Sequence, residues 1–94
     1  MSYKAVWKSE SEGEYIYTVD DKKMAFMDLL ITDTGKVVIK HTEVESSLEG
    51  QGIGKGLLQE VATFAREKDF KILPICPFAK NVMYKYPEQY KDLL

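Results

Sequence analysis

The sequence predicts an α+β domain: a mixed, mostly antiparallel sheet with one crossover helix and short helices at the C-terminal end. Three observations carry this. Apolar and aromatic residues alternate at a period of two in the first half, as at Tyr15, Tyr17 and Val19. The turn Asp33-Thr34-Gly35 joins two such runs as a hairpin. In the second half Leu57, Leu58, Val61, Ala62, Phe64 and Ala65 recur at helical spacing, between the third strand and a fourth.

Taken in order, residues 1–13 read as a polar lead-in that frays, since they end in Ser9-Glu10-Ser11-Glu12-Gly13, with order beginning near Glu14. A strand over Glu14 to Asp20 is followed by the turn Asp20-Asp21-Lys22, a more apolar strand over Lys23 to Thr32, and a third strand over Lys36 to Thr42. Glu43 to Gly50 is polar and reads as a loop. A helix follows from Gly54 to Lys68, with Glu60, Arg66, Glu67 and Lys68 mostly off its apolar face. Phe70 to Cys76 is a strand interrupted by Pro74 and stopped by Pro77, since proline cannot donate to a ladder. A short helix from Phe78 to Tyr86 and a final turn or helix to Leu94 complete the chain. The intervening helix lets the fourth strand run parallel to the third.

At 94 residues the chain is one compact domain, 1–94, and too short for two. With 45% hydrophobic residues and 30% charged it is an ordered globular chain. A net charge of -2 with scattered lysines provides neither a basic stripe for nucleic acid nor a polybasic patch for a membrane surface. No run approaches the ~20 apolar residues of a transmembrane helix, and Met1-Ser2-Tyr3-Lys4 lacks the apolar stretch of a signal peptide, so the cytoplasm is the expected compartment. The single cysteine, Cys76, cannot form an internal disulfide, and with one histidine it makes too small a ligand set for a metal.

The segment Gly50-Gln51-Gly52-Ile53-Gly54-Lys55-Gly56 opens a helix where backbone amides are unpaired, and its glycines let an anion approach the backbone. Two phosphate-binding patterns fail. A Walker loop requires Ser or Thr after Lys55, where Gly56 stands, and glycine at Glu49. The dinucleotide pattern GxGxxG puts Lys55 or Leu57 in place of its last glycine. A glycine-rich helix entry with no ligand is the plainer alternative, although glycine at Gly54 and Gly56 costs roughly 1 kcal/mol each against alanine.

The pattern Q/R-x-x-G-x-G/A is satisfied by Gln51, Gly54 and Gly56, and here the chain resembles the GNAT superfamily of N-acetyltransferases. The resemblance extends to a subgroup of small single-domain members through His41-Thr42-Glu43-Val44, Gln51-Gly52-Ile53-Gly54 and Pro74-Ile75-Cys76-Pro77-Phe78-Ala79. It implies a minimal GNAT-like core that binds acetyl-coenzyme A and transfers the acetyl group to an unidentified amine, a small molecule or a protein. The implied cofactor-binding residues are Glu43, Val44, Gln51, Gly52, Ile53, Gly54, Lys55 and Gly56. In the subgroup a cysteine after the fourth strand is a suspected acyl-accepting nucleophile, which here is Cys76, and Met83-Tyr84-Lys85-Tyr86 matches a segment whose tyrosine often acts as an acid, which puts Tyr84 in that role.

Each of these residues has a structural alternative. Cys76, before a helix N-terminus that favours thiolate, is a nucleophile or an inert residue at a packed strand end. His41 closes the third strand, and if that strand lies beside the fourth it is the base for Cys76; otherwise it is a surface histidine. Tyr84 is an acid or a packing aromatic, and Tyr86 and Tyr90 include core residues. Direct attack by an amine deprotonated by His41, Glu43 or water needs no covalent intermediate. A non-catalytic acyl-coenzyme A-binding or sensing module is the alternative function. Full-size GNAT members carry a helical pair and further strands that do not match here, so an open, shallow acceptor site is expected.

Overall fold

A computed structural model describes all 94 residues, Met1–Leu94. Five strands, β1 (Ser2–Trp7), β2 (Glu12–Val19), β3 (Lys22–Ile31), β4 (Lys36–Val44) and β5 (Lys71–Pro74), form one sheet in the order β1-β2-β3-β4-β5. The first four are antiparallel neighbours and β5 runs parallel to β4. The helix α1 (Ile53–Lys68) makes the crossover, and α2 (Pro77–Lys85), α3 (Pro87–Tyr90) and a 3₁₀ turn at Lys91–Leu93 follow β5. The α+β class, the mixed sheet and the parallel final strand are therefore as the sequence predicts.

The core lies between one face of the sheet and the helices. Met27, Leu29, Val37 and Ile39 of the sheet and Leu57, Leu58 and Val61 of α1 are fully buried there, with Met83 of α2. Tyr90 and Leu93 of the last turns join the same cluster. Every helix directs its buried side chains into this cluster, so the opposite face of the sheet carries no helix. The C-terminal turn is clamped from outside: the Arg66 guanidinium donates to both carboxylate oxygens of Asp92, at 3.0 and 3.1 Å, and to the Gln89 carbonyl at 2.6 Å.

The N-terminal segment departs from expectation. Residues 1–13 do not fray: β1 pairs with β2 from Ser2↔Thr18 to Trp7↔Gly13, and Ser9 to Ser11 form the turn between them. The physical reason is aromatic anchoring. Tyr3 packs on Tyr17 with ring centroids 4.9 Å apart, and Trp7 packs on Phe64 of α1 at 5.3 Å. Two glycines make room for them. A Cβ at Gly13 would collide with the Trp7 ring, and one at Gly56 would collide with the Tyr3 hydroxyl and lie 2.6 Å from its Cζ. Packing between β1 and α1 thus accounts for a glycine at position 56.

One irregularity positions the site. In the β3–β4 ladder Asp28 pairs with His41 and Leu29 with Ile39, which leaves Lys40 as an extra residue, a β-bulge. A bulge reverses the alternation of faces. Before it Val37 and Ile39 point to the core; after it Thr42 and Val44 do, opposite Met27 and Ala25.

Candidate active site

The bulge coincides with the place where β4 and β5 separate. Their parallel register ends at Ile39↔Pro74, and the Ile39 carbonyl then accepts the amides of both Ile75 and Cys76, at 3.1 and 3.0 Å. Beyond Ile39 no backbone hydrogen bond joins the two strands, because β5 gives way at Pro77 to α2. The far edge of His41 to Val44 is left without a strand partner.

Below this parting lies the start of α1. Gly52 caps it with φ of +78°, a left-handed conformation that a residue without Cβ adopts freely. No side chain caps this end, and the first backbone bond of the helix runs from the Gly56 amide to the Gly52 carbonyl at 2.9 Å. The amides of Gly52, Ile53, Gly54 and Lys55 have no intramolecular acceptor. They border a cavity of about 540 Å³ lined by Val44, Leu48, Glu49, Gly50, Gly52, Ile53, Gly54, Lys55 and Phe78. One end is thus a cluster of donors with positive helix-dipole character, and the walls at Val44, Leu48, Ile53 and Phe78 are apolar.

The structure brings Val44, Gly52, Ile53, Gly54 and Lys55 together around this cavity, five of the residues that the sequence singles out. The other three lie off it. Gln51 is exposed, its side-chain Nε2 donating to the Ser47 carbonyl at 3.5 Å and its backbone amide to the Leu48 carbonyl at 3.4 Å. Gly56 lies against Tyr3. Glu43 lines a smaller cavity of about 290 Å³ at the ends of β3 and β4. Leu48, Glu49, Gly50 and Phe78 line the main cavity without being among the implied cofactor-binding residues. Phe78 had a signal, as the aromatic residue directly after the proline that starts α2; it stands over Gly54, where a Cβ would lie 2.7 Å from its Cζ.

The expectation that His41 lies against Cys76 is not met. The bulge turns His41 to the helix-free face, where its ring packs at a tilt on Phe26, centroids 5.8 Å apart, and its Nε2 lies 3.7 Å from Glu43 Oε1. Thr42 takes the inward position instead, and the Cys76 thiol donates to Thr42 Oγ1 at 3.2 Å. Cys76 is only 4% exposed. Tyr84 is 61% exposed on α2 and does not line the main cavity.

A model of the GCN5-related N-acetyl-transferase family matches residues 14–93. The chain belongs to this family. Among solved structures, this GCN5-related chain is similar to a GCN5-like protein from Staphylococcus aureus solved by NMR, at 32% identity and a TM-score of 0.74, covering 98% of this chain and 85% of that one. It is also similar to the ribosomal-protein-alanine N-acetyltransferase from Brucella melitensis biovar Abortus 2308, at 17% identity and a TM-score of 0.71. The match covers 83% of this chain and spans only 62% of the Brucella protein. A Bacillus anthracis protein solved in complex with acetyl coenzyme A matches at 19% identity and a TM-score of 0.62, over 71% of this chain and 39% of that one. Below 25% identity the likeness is one of fold. No curated protein matches the chain. The family match begins at Glu14, so β1 of this GCN5-related chain lies outside it.

Proposed function

We propose that the chain is an N-acetyltransferase that takes acetyl-coenzyme A as acyl donor and an amine as acceptor. The observation that carries this reading is the run of unpaired amides from Gly52 to Lys55, opening into a cavity of about 540 Å³ beside the parting of β4 and β5. The volume falls within the ~300–1,000 Å³ of small-molecule sites. The donors suit a pyrophosphate, and the apolar walls at Val44, Leu48, Ile53 and Phe78 suit a pantetheine arm. Gln51 acts in this reading through the shape of the turn, and Gly56 through the close approach of β1 to α1. No helix is long and apolar enough to cross a membrane, and a cytoplasmic site of action is part of the proposal.

In the reaction the neutral amine attacks the thioester carbonyl carbon, a C–N bond forms, the C–S bond breaks, the amine loses a proton to a base and the departing thiolate takes one up. Holding donor and acceptor together supplies much of the acceleration. The exposed pair His41 and Glu43, on the face that no helix covers, is the candidate base and the exposed Tyr84 phenol the candidate acid; none of the three lines the main cavity, so these roles require the reacting end of the donor to lie beyond it. Direct transfer is favoured over an acyl-Cys76 intermediate, because the thiol is buried and bonded to Thr42, and the covalent route requires that contact to open. The same occlusion favours a second reading, a module that binds acyl-coenzyme A without turnover.

Intact-protein mass spectrometry after incubation with acetyl-coenzyme A and a panel of amines tests the proposal. Acetylated amine without a protein adduct supports direct transfer. An adduct lost in Cys76→Ala supports the covalent route. Binding with neither product supports the module, and absence of binding overturns the proposal.

A further inference from the structure

The cavity at α1 accounts for a pyrophosphate but not for the third phosphate of coenzyme A, on its ribose. Two lysines converge beside the cavity. Lys55 lines it and donates from Nζ to Tyr86 Oη at 3.4 Å, with Nζ 5.0 Å from the centroid of the Tyr86 ring. Lys85 reaches the same ring, at 5.7 Å. Neither lysine has a carboxylate within ion-pair distance. Tyr86 is held where α2 meets α3: its amide donates to the Val82 carbonyl at 3.1 Å, and its carbonyl accepts the Gln89 amide at 3.1 Å. Lys85 and Tyr86 also line a second cavity of about 210 Å³, with Pro87, Glu88 and Gln89. The Lys55–Tyr86 contact therefore links two cavities.

Resting on the reading of the main cavity as the coenzyme A site, we propose that Lys55 and Lys85, gathered on the Tyr86 ring, bind the 3′-phosphate of the nucleotide and so select coenzyme A over its 3′-dephosphorylated form. The fixed Tyr86 ring attracts both flexible ammonium groups, which lie 5.0 and 5.7 Å from its centroid. A dianionic phosphate placed between them gains charge-assisted hydrogen bonds to both, and no ion pair has to be broken first. Glu88, on the rim of the second cavity, disfavours anions bound further along α3 and keeps the phosphate on the lysine side.

The test is calorimetric titration of the full chain with coenzyme A and with 3′-dephospho-coenzyme A, repeated on Lys55→Gln, Lys85→Gln and the double variant. All these positions are exposed, so folding is retained. Wild type is expected to prefer coenzyme A about tenfold, the scale of one or two charge-assisted bonds. The preference is expected to fall several-fold in each single variant and to disappear in the double one, while affinity for the dephosphorylated form changes less. Equal binding of the two ligands by wild type overturns the inference and leaves the cofactor site standing, as does a preference that survives the double substitution. Binding of neither ligand overturns the cofactor site itself.

Discussion

Substituting Gly56 by alanine separates packing from phosphate binding as the reason for glycine at that position. On an exposed helix the change stabilises by about 1 kcal/mol through backbone entropy. Here the new Cβ meets the Tyr3 hydroxyl and lies 2.6 Å from its Cζ, so the phenol must move. Forced overpacking costs about 1–3 kcal/mol, and loss of the Tyr3–Tyr17 pair at 4.9 Å adds roughly 0.5–1.5 kcal/mol. The balance is a loss of about 2 kcal/mol, which for a domain of this size lowers Tm by roughly 10 °C. The sharper expectation concerns sign. In a Tyr3→Ala background the obstacle is gone, and Gly56→Ala becomes stabilising by about 1 kcal/mol. Thermal denaturation of the four proteins of this cycle decides it. A Gly56→Ala that stabilises the wild-type background, or one that destabilises equally in both, refutes the account of β1 docked on α1 through this glycine.

Other consequences follow from the same geometry. Leu57→Ala, at a fully buried position facing the sheet, lowers stability by about 2–5 kcal/mol in urea titration. Thr42→Val removes the acceptor of the Cys76 thiol and costs about 1 kcal/mol, whereas Thr42→Ser retains the bond; the difference is read from their denaturation midpoints. Burial raises the Tyr3, Tyr15 and Tyr90 phenols above the usual 10.0, aided at Tyr3 by Tyr17 and at Tyr15 by Glu60. Their raised values favour the folded state below about pH 10, where both states are neutral at these groups, and that advantage is lost as pH rises from the unfolded value through the folded ones, so alkaline titration should lower Tm from pH 10 upward. Asp92 is held below its usual 3.8 by the Arg66 guanidinium; its contribution is present above that value and is lost as pH falls through the lowered one, and Asp92→Asn should flatten the acid limb.

Much of this fold can be read from side-chain periodicity, because a core of this kind requires it. The β2, β3 and β4 strands, the α1 helix and the parallel β5 lie within a few residues of their predicted limits. Strand β1 is masked because Ser9-Glu10-Ser11-Glu12-Gly13 reads as a solvated tail, yet Tyr3, Ala5 and Trp7 alternate at a strand's period; their value depends on Gly13 and Gly56, far apart in sequence. The bulge left a trace too. Inward residues occupy odd positions at Val37 and Ile39, then even ones at Thr42 and Val44, a change of phase that marks an inserted residue. Without that phase change in view, His41 reads as a neighbour of Cys76; with it, His41 falls on the other face. Of the site, the glycine-rich start of α1 is legible because helix entry and exposed amides are local features. Leu48 is not, since its place in the cavity depends on how the connection after β4 folds back toward α1.

The central claim, that acetyl-coenzyme A binds on the amides at the start of α1, is tested most directly by amide NMR. A proton–nitrogen correlation spectrum of the labelled 94-residue chain is followed during titration with acetyl-coenzyme A. The largest shifts are expected at Gly52, Ile53, Gly54 and Lys55, with smaller ones at Val44, Leu48 and Phe78 along the cavity wall. A spectrum unchanged at millimolar ligand, or changes centred away from these amides, would contradict the claim.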